Sequence, residues 1–134
     1  MKAAILIAAF GALMQLCGCM TYRKCDAWSD VKIDGGAVPY ATVQIENSGW
    51  YLFDFIPLFC GDPERPNDNT CRIFKHTVTL QNNLVVLDWI MAENNCTIIS
   101  NLASRETDDI YFVFLLYRRA CHTTAVISRE EDQT

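Results

Sequence analysis

The chain has 134 residues, of which 51% are hydrophobic and 20% charged, a globular rather than a disordered balance. Eleven basic residues face sixteen acidic ones, and the net charge of -5 argues against nucleic-acid binding and against electrostatic adhesion to anionic lipid. Seven cysteines in so short a chain suggest disulfides in an exported domain.

Lys2 supplies a short positive start, and Ala3 to Leu16 form an apolar run broken only by Gly11 and Gln15. As a helix this run reaches about 21 Å, short of a ~30 Å hydrocarbon core, so it reads as a cleaved export signal rather than a spanning helix. Its end, Leu16-Cys17-Gly18-Cys19, resembles the lipobox of bacterial lipoprotein signals. Leu stands three residues before the modified cysteine, a small residue two before, and Gly just before. The resemblance implies cleavage after Gly18 and a diacylglyceryl group on Cys19, making the membrane a partner through a lipid anchor. Cys17 is the poorer acceptor, because Gln15 and Leu16 before it are not small. The alternative is an ordinary cleaved signal without lipid. Met20 follows the acceptor where an Asp would mark inner-membrane retention in the enterobacterial pattern. That favours the periplasmic face of the outer membrane.

Residues 1–18 are thus expected to be removed, 19–39 to form a lipid-anchored tether, 40–128 a single α+β domain, and 129–134 a polar tail. The tether mixes charges with Gly35-Gly36 and Pro39 and has no sustained period. "YATVQIE" alternates, with Ala41, Val43 and Ile45 on one side, and predicts a half-buried strand ended by Asn47-Ser48-Gly49. "WYLFDFIPLFCG" is almost wholly apolar and contains Pro57, so it reads as a crossing segment that caps the core. Its other reading is a patch that touches a bilayer or a partner. Residues 61–70 form a polar loop, flanked by Cys60 and Cys71. A bridge there would close a loop of about a dozen residues and stabilise by roughly 2 to 3 kcal/mol. The acids of that loop do not follow the order of an EF-hand.

"TLQNNLVVLDWIMAENN" predicts a helix with Thr79 as N-cap and Asn94 or Asn95 in the left-handed position after its last turn. Leu80, Leu84, Leu87 and Met91 fall on one stripe, widened by Val85, Val86, Trp89 and Ile90. "CTIISNL" then reads as a strand and "SRETDD" as a charged turn. "IYFVFLLY" reads as a central strand that continues through "ACHTTAVIS". A right-handed crossover makes the first two strands parallel, with the last antiparallel between them. The expected fold is a three-stranded sheet in the order 1-3-2, one main helix on one face, and the apolar Pro-containing segment over the other. "ENSGWYLFDFIPL" together with "FLLYRRACHTTAVI" is similar to small bacterial lipoproteins of unknown function, a resemblance that carries no catalytic residue.

Beyond Cys19 the thiols are Cys25, Cys60, Cys71, Cys96 and Cys121, an odd number. Besides Cys60–Cys71, a second bridge Cys96–Cys121 fits a hairpin through Glu106-Thr107, with Cys25–Cys121 as an alternative. The spacings of His76 and His122 from the cysteines match no compact zinc pattern, and no metal or cofactor is expected. No C-x-x-C motif lies in the mature chain, and no nucleophile sits in a recognisable context such as G-x-S-x-G. Asp108-Asp109 reads as a solvated pair. Arg118-Arg119 reads as consecutive strand charges projecting to opposite sides or meeting nearby acids, with phosphate or headgroup binding as the other reading.

These features predict a non-enzymatic, lipid-anchored envelope module, with an envelope protein of unspecified identity as a possible partner and no nucleic acid. Two other readings remain at this level. One is a small-molecule or lipid carrier with a pocket lined by Trp50, Phe53, Phe55 and Trp89. The other is a thiol-dependent enzyme built on the unpaired cysteine.

Overall fold

The computed structural model describes residues 18–26, 37–68, 70–75, 78–111 and 115–130. The expected signal up to Cys17 and the tail from residue 131 lie outside the described residues. The chain forms β1 (Met20–Asp26), β2 (Ala37–Leu52), β3 (Ile56–Gly61), β4 (Cys71–Ile73), helix α1 (Leu80–Glu93), β5 (Ile98–Tyr111) and β6 (Leu116–Glu130).

All six strands join one sheet, and every pairing is antiparallel. The order is β4-β3-β2-β6-β5, with β1 also on β2. This overturns the three-stranded sheet of order 1-3-2, and with it the parallel pair. The reason lies in three stretches. "WYLFDFIPLFC" does not cross the core; it finishes β2, turns at Phe53-Asp54-Phe55 and returns as β3. "SRETDD" is not a turn but the middle of β5, so the apolar run after it splits between two strands. The supposed tether supplies β1.

β2 is the spine. β6 pairs with it from Ala37 to Leu52, while on its other side β1 takes Ala41 to Asn47 and β3 takes Gly49 to Leu52. The alternation in "YATVQIE" has the expected consequence. Ala41, Val43 and Ile45 are buried and meet Ala125 and Ile127 of β6 beneath α1, where Val86, Leu87, Ile90 and Met91 complete the main core. Asn47-Ser48-Gly49 does not end the strand, because Ser48 and Gly49 each have a task at the junction of β1 and β3. Gly49 has no room for a side chain: a Cβ there would lie 2.6 Å from Cys60 Sγ and 2.8 Å from Val78 Cγ2. Pro57 fits because the β2–β3 register shifts beside it, between Trp50 and Tyr51, where a bulge tolerates a residue with no N–H.

Thr79 caps α1 by accepting the Asn82 amide at 3.2 Å, and Asn95 takes the left-handed conformation after it with φ 52°. The buried face differs from the expected stripe. Leu87 and Met91 are buried, but Leu80 is exposed and Asn83 is fully buried in its place. Asn83 Nδ2 donates to the Cys121 carbonyl oxygen at 3.1 Å and to Thr123 Oγ1 at 2.8 Å, which fixes the helix against β6. Trp89 remains half-exposed and meets Tyr22 of β1 edge-on, with ring centroids 5.8 Å apart.

The helix covers β2 and β6 but not β5, and the other face of the sheet has no layer over it among the described residues. That face carries Gln44, Glu46, His122 and Thr124, the polar half of the strand alternation.

Truncation separates the two leucines that periodicity places on one stripe. Leu87→Ala is expected to cost about 2–5 kcal/mol in denaturant unfolding, and Leu80→Ala about 0.5 kcal/mol or less.

Candidate functional site

The cysteine expected to accept the lipid sits in the sheet itself. Cys19 precedes β1 by one residue and continues its register. The Ser48 amide donates to the Cys19 carbonyl oxygen at 2.8 Å, and the Cys19 amide donates to Ser48 Oγ at 3.3 Å. Met20 opposite Asn47 points into the core, so alternation turns Cys19, beside Ser48, towards the uncovered face. Burial pushes its thiol up, Glu46 adds to the rise, and Arg118 opposes both. Gly18 is buried, and a Cβ on it would come within 2.5–2.6 Å of the Ser48 carbonyl oxygen, Cys60 Cα and the Phe59 carbonyl oxygen. A side chain larger than hydrogen has no room at this position. The sequence pattern marked Gly18 and Cys19 but missed Ser48, whose company of Asn and Gly reads as a turn.

On the uncovered face, Thr21, Arg23, Gln44, Glu46, His122 and Thr124 line a shallow polar depression of about 340 Å³. Glu46 stands 4.0 Å from both Arg118 and His122. Such exposed pairs contribute little to stability, so the depression is a polar surface rather than a locked network.

One end of the sheet is apolar. The β2–β3 turn and the β5–β6 connection meet there, with the Phe53 amide donating to the Leu115 carbonyl oxygen at 2.9 Å. Phe53 and Phe55 stack at 6.4 Å, and Trp50 meets Tyr111 at 5.1 Å. Phe55 is 73% exposed and Phe74, next to Leu58 of β3, is 70% exposed. The charges at this end are matched. Arg119 bonds Asp108 at 2.9 Å and Asp54 at 3.1 Å, and stands over the Tyr51 ring. Asp108 therefore lies in a strand and in an ion pair rather than in a turn. Arg118 projects to the opposite side, as consecutive strand residues must.

The four proposed pocket residues do not converge. Trp50 lies on the uncovered face, Phe53 and Phe55 on the turn, and Trp89 on the outer side of α1. The proposed bridges are not formed either: Cys60, Cys71, Cys96 and Cys121 are in no disulfide among the described residues, and neither are Cys19 and Cys25. Register supplies the reason. Cys71 opposes Gly61 and Cys60 opposes Arg72, so the two thiols project from opposite faces of the β3–β4 pair. Cys121 opposes Glu106, far along the hairpin from Cys96, which belongs to the core under the C-terminal end of α1. Cys121 and His122, neighbours in sequence, likewise face opposite sides, so they form no thiol–imidazole pair. Among the described residues no group of three or more His, Cys, Asp or Glu could hold a metal ion, and no helix is long and apolar enough to cross a membrane. His76 lies outside the described residues.

Compared with known protein families, curated proteins and solved structures, the chain matches none.

The loop after β3 is held by Arg72, which bonds Asp62 at 2.8 Å and Glu64 at 2.6 Å. Burial alone would raise the Asp62 carboxyl, but the Arg72 guanidinium and the Glu64 amide outweigh it and hold it below its ordinary value. A lowered native value stabilises the fold fully above the ordinary Asp pKa of about 3.9 and loses that contribution as pH falls through the native one. Arg72→Ala should therefore speed cleavage by a glutamate-specific protease after Glu64 at neutral pH, and the difference from the parent should shrink in acid unfolding curves. Thiol mapping checks the free cysteines. In folded, unacylated protein, maleimide should reach exposed Cys25 first, Cys19 more slowly, and Cys60 and Cys121 only on unfolding. The intact mass should not change with reductant.

Proposed function

We propose that this protein is a lipid-anchored component of the bacterial cell envelope. Its small β-rich domain acts as a non-enzymatic structural or interaction module, held at the membrane through Cys19. The observation that carries this reading is Leu16-Cys17-Gly18-Cys19 closing an apolar run of signal-peptide length. The polar residue pattern that follows at once, and the outward direction of the Cys19 side chain, support it. A diacylglyceryl thioether on that sulfur would leave the sheet on its uncovered side without displacing a core residue. Two or more acyl chains, each buried CH₂ contributing about 0.8 kcal/mol, make such an anchor stable.

Folding and processing have an order on this reading. The Gly18–Cys19 peptide lies against β2 and β3, where a peptidase has no access, so acylation and cleavage precede the docking of β1. The module reading is favoured over the carrier reading by the dispersal of Trp50, Phe53, Phe55 and Trp89 over separate surfaces. The polar depression beside Glu46 is the place where an envelope protein would meet the domain, and the periplasmic face of the outer membrane is the proposed location.

Metabolic labelling with a radioactive fatty acid in a bacterial host, with intact mass of the membrane-extracted product, tests the proposal. The parent and Cys17→Ser should carry label and start at Cys19; Cys19→Ser should carry none. A freely soluble parent product bearing no acyl mass would overturn the reading.

A further inference from the structure

We infer that the apolar end of the sheet rests in the bilayer interface, so that the domain lies against the membrane with a fixed orientation. This rests on the proposed acylation of Cys19 and adds to it a second, non-covalent contact. The residues that make the contact are Phe53, Phe55, Phe74, Ile110, Tyr111 and Leu115.

The first reason is the length of the linker. The anchoring residue is itself hydrogen-bonded into the sheet through Ser48, and β1 begins at the next residue. No flexible spacer separates lipid from domain, so the domain is held against the membrane within a short radius of Cys19. The second reason is where Cys19 lies along the spine. Ser48 is four residues from Leu52, about 14 Å at a strand rise of 3.4 Å, and eleven from Ala37, about 37 Å. The acyl chains therefore emerge nearer the apolar end than the opposite one. A modest tilt of the sheet brings that end into the ~5–10 Å depth that apolar interfacial groups occupy.

The third reason is the chemistry of this end. Large apolar side chains are exposed on both turns and on the flanking Phe74. Trp50 stands behind them against Tyr111, as amphipathic rings do at a headgroup boundary. Arg119, on the flank of this end, is already bonded to Asp54 and Asp108, and Lys75 beside Phe74 has a side chain long enough to keep its charge in the headgroup region. With a chain charge of -5 the contact cannot depend on attraction to anionic lipid, so apolar burial has to hold it.

Single-tryptophan forms of the full acylated protein test the orientation. In a background of Trp28→Phe, Trp50→Phe and Trp89→Phe, one form carries Phe55→Trp and another Val38→Trp at the far end of β2. Both are reconstituted in vesicles of 3:1 phosphatidylethanolamine and phosphatidylglycerol with brominated acyl chains. Bromine quenches only tryptophan within the bilayer, so Phe55→Trp should lose about half or more of its emission and Val38→Trp almost none, at low and high salt alike. A measurement on the unsubstituted acylated protein guards against misfolded variants. Amides of residues 53–56 should exchange hydrogen at least several-fold more slowly in vesicles than in Cys19→Ser protein made without residues 1–18, while those of 37–41 should not change. Acylated protein with equal quenching and equal exchange at the two ends would overturn the orientation while leaving the anchor standing. Absence of acyl mass would sink the anchor, and the orientation with it.

Discussion

The structure depends on one long strand that is paired along both sides. β2 is bonded to β6 for its whole length, and on its other side it is shared end to end by β1 and β3. That arrangement requires a place where one neighbour stops and the next begins, and Asn47, Ser48 and Gly49 form it. Ser48 holds the incoming chain at Cys19, and Gly49 leaves space for Cys60 and Val78. The main core under α1 and the smaller cluster of Tyr51, Cys60, Val78 and Cys121 lie on either side of this point along the same face. A side chain larger than hydrogen at Gly49 would press on both neighbours of the junction at once.

The same junction ties the fold to the proposed location. An anchor attached through a spacer would leave the domain free to tumble above the membrane. On the proposed reading the attachment point is a member of the sheet, so the geometry of the sheet becomes the geometry of the attachment. The polar face, from which the Cys19 side chain emerges, then inclines over the membrane, with the apolar end dipping into it. Binding through the polar face and resting on the apolar end are compatible, because the two surfaces are made by different parts of β2.

The parts of this fold that were legible in the sequence are those where local pattern and tertiary environment agree. The alternation of Ala41, Val43 and Ile45 shows a strand with one buried side, and Thr79 and Asn95 mark the two ends of α1. Pattern failed where a residue's usual role was replaced by a packing role. Asn-Ser-Gly has the chemistry of a turn, yet here a close approach of three strands needs those small residues. "SRETDD" has the charge of a loop, yet β5 is an edge strand that the helix does not cover, so burial imposes no apolar alternation on it. The buried face of α1 departs from the apolar stripe because Asn83 takes a core position, and a buried Asn with two partners leaves no trace in a periodicity. Cysteine spacing was equally uninformative, since faces of a strand pair, not distance along the chain, decide whether two thiols can meet. The motif around Cys19 carried no sign that this residue is incorporated into the sheet.

Among the described residues, β5 leaves one row of its backbone N–H and C=O groups without a neighbouring strand, over a stretch in which Ile99, Leu102, Ile110 and Tyr111 are exposed. A bare margin of this kind invites a second chain to add on, and then a third. The shift of register between Ser100 and Ala103, with Asn101 at φ 52°, bends the margin near its start, and Arg105, Glu106, Asp108 and Asp109 place charge along its middle. Those residues, which contribute nothing to the core, are of the kind that blunts a sheet margin against edge-to-edge growth.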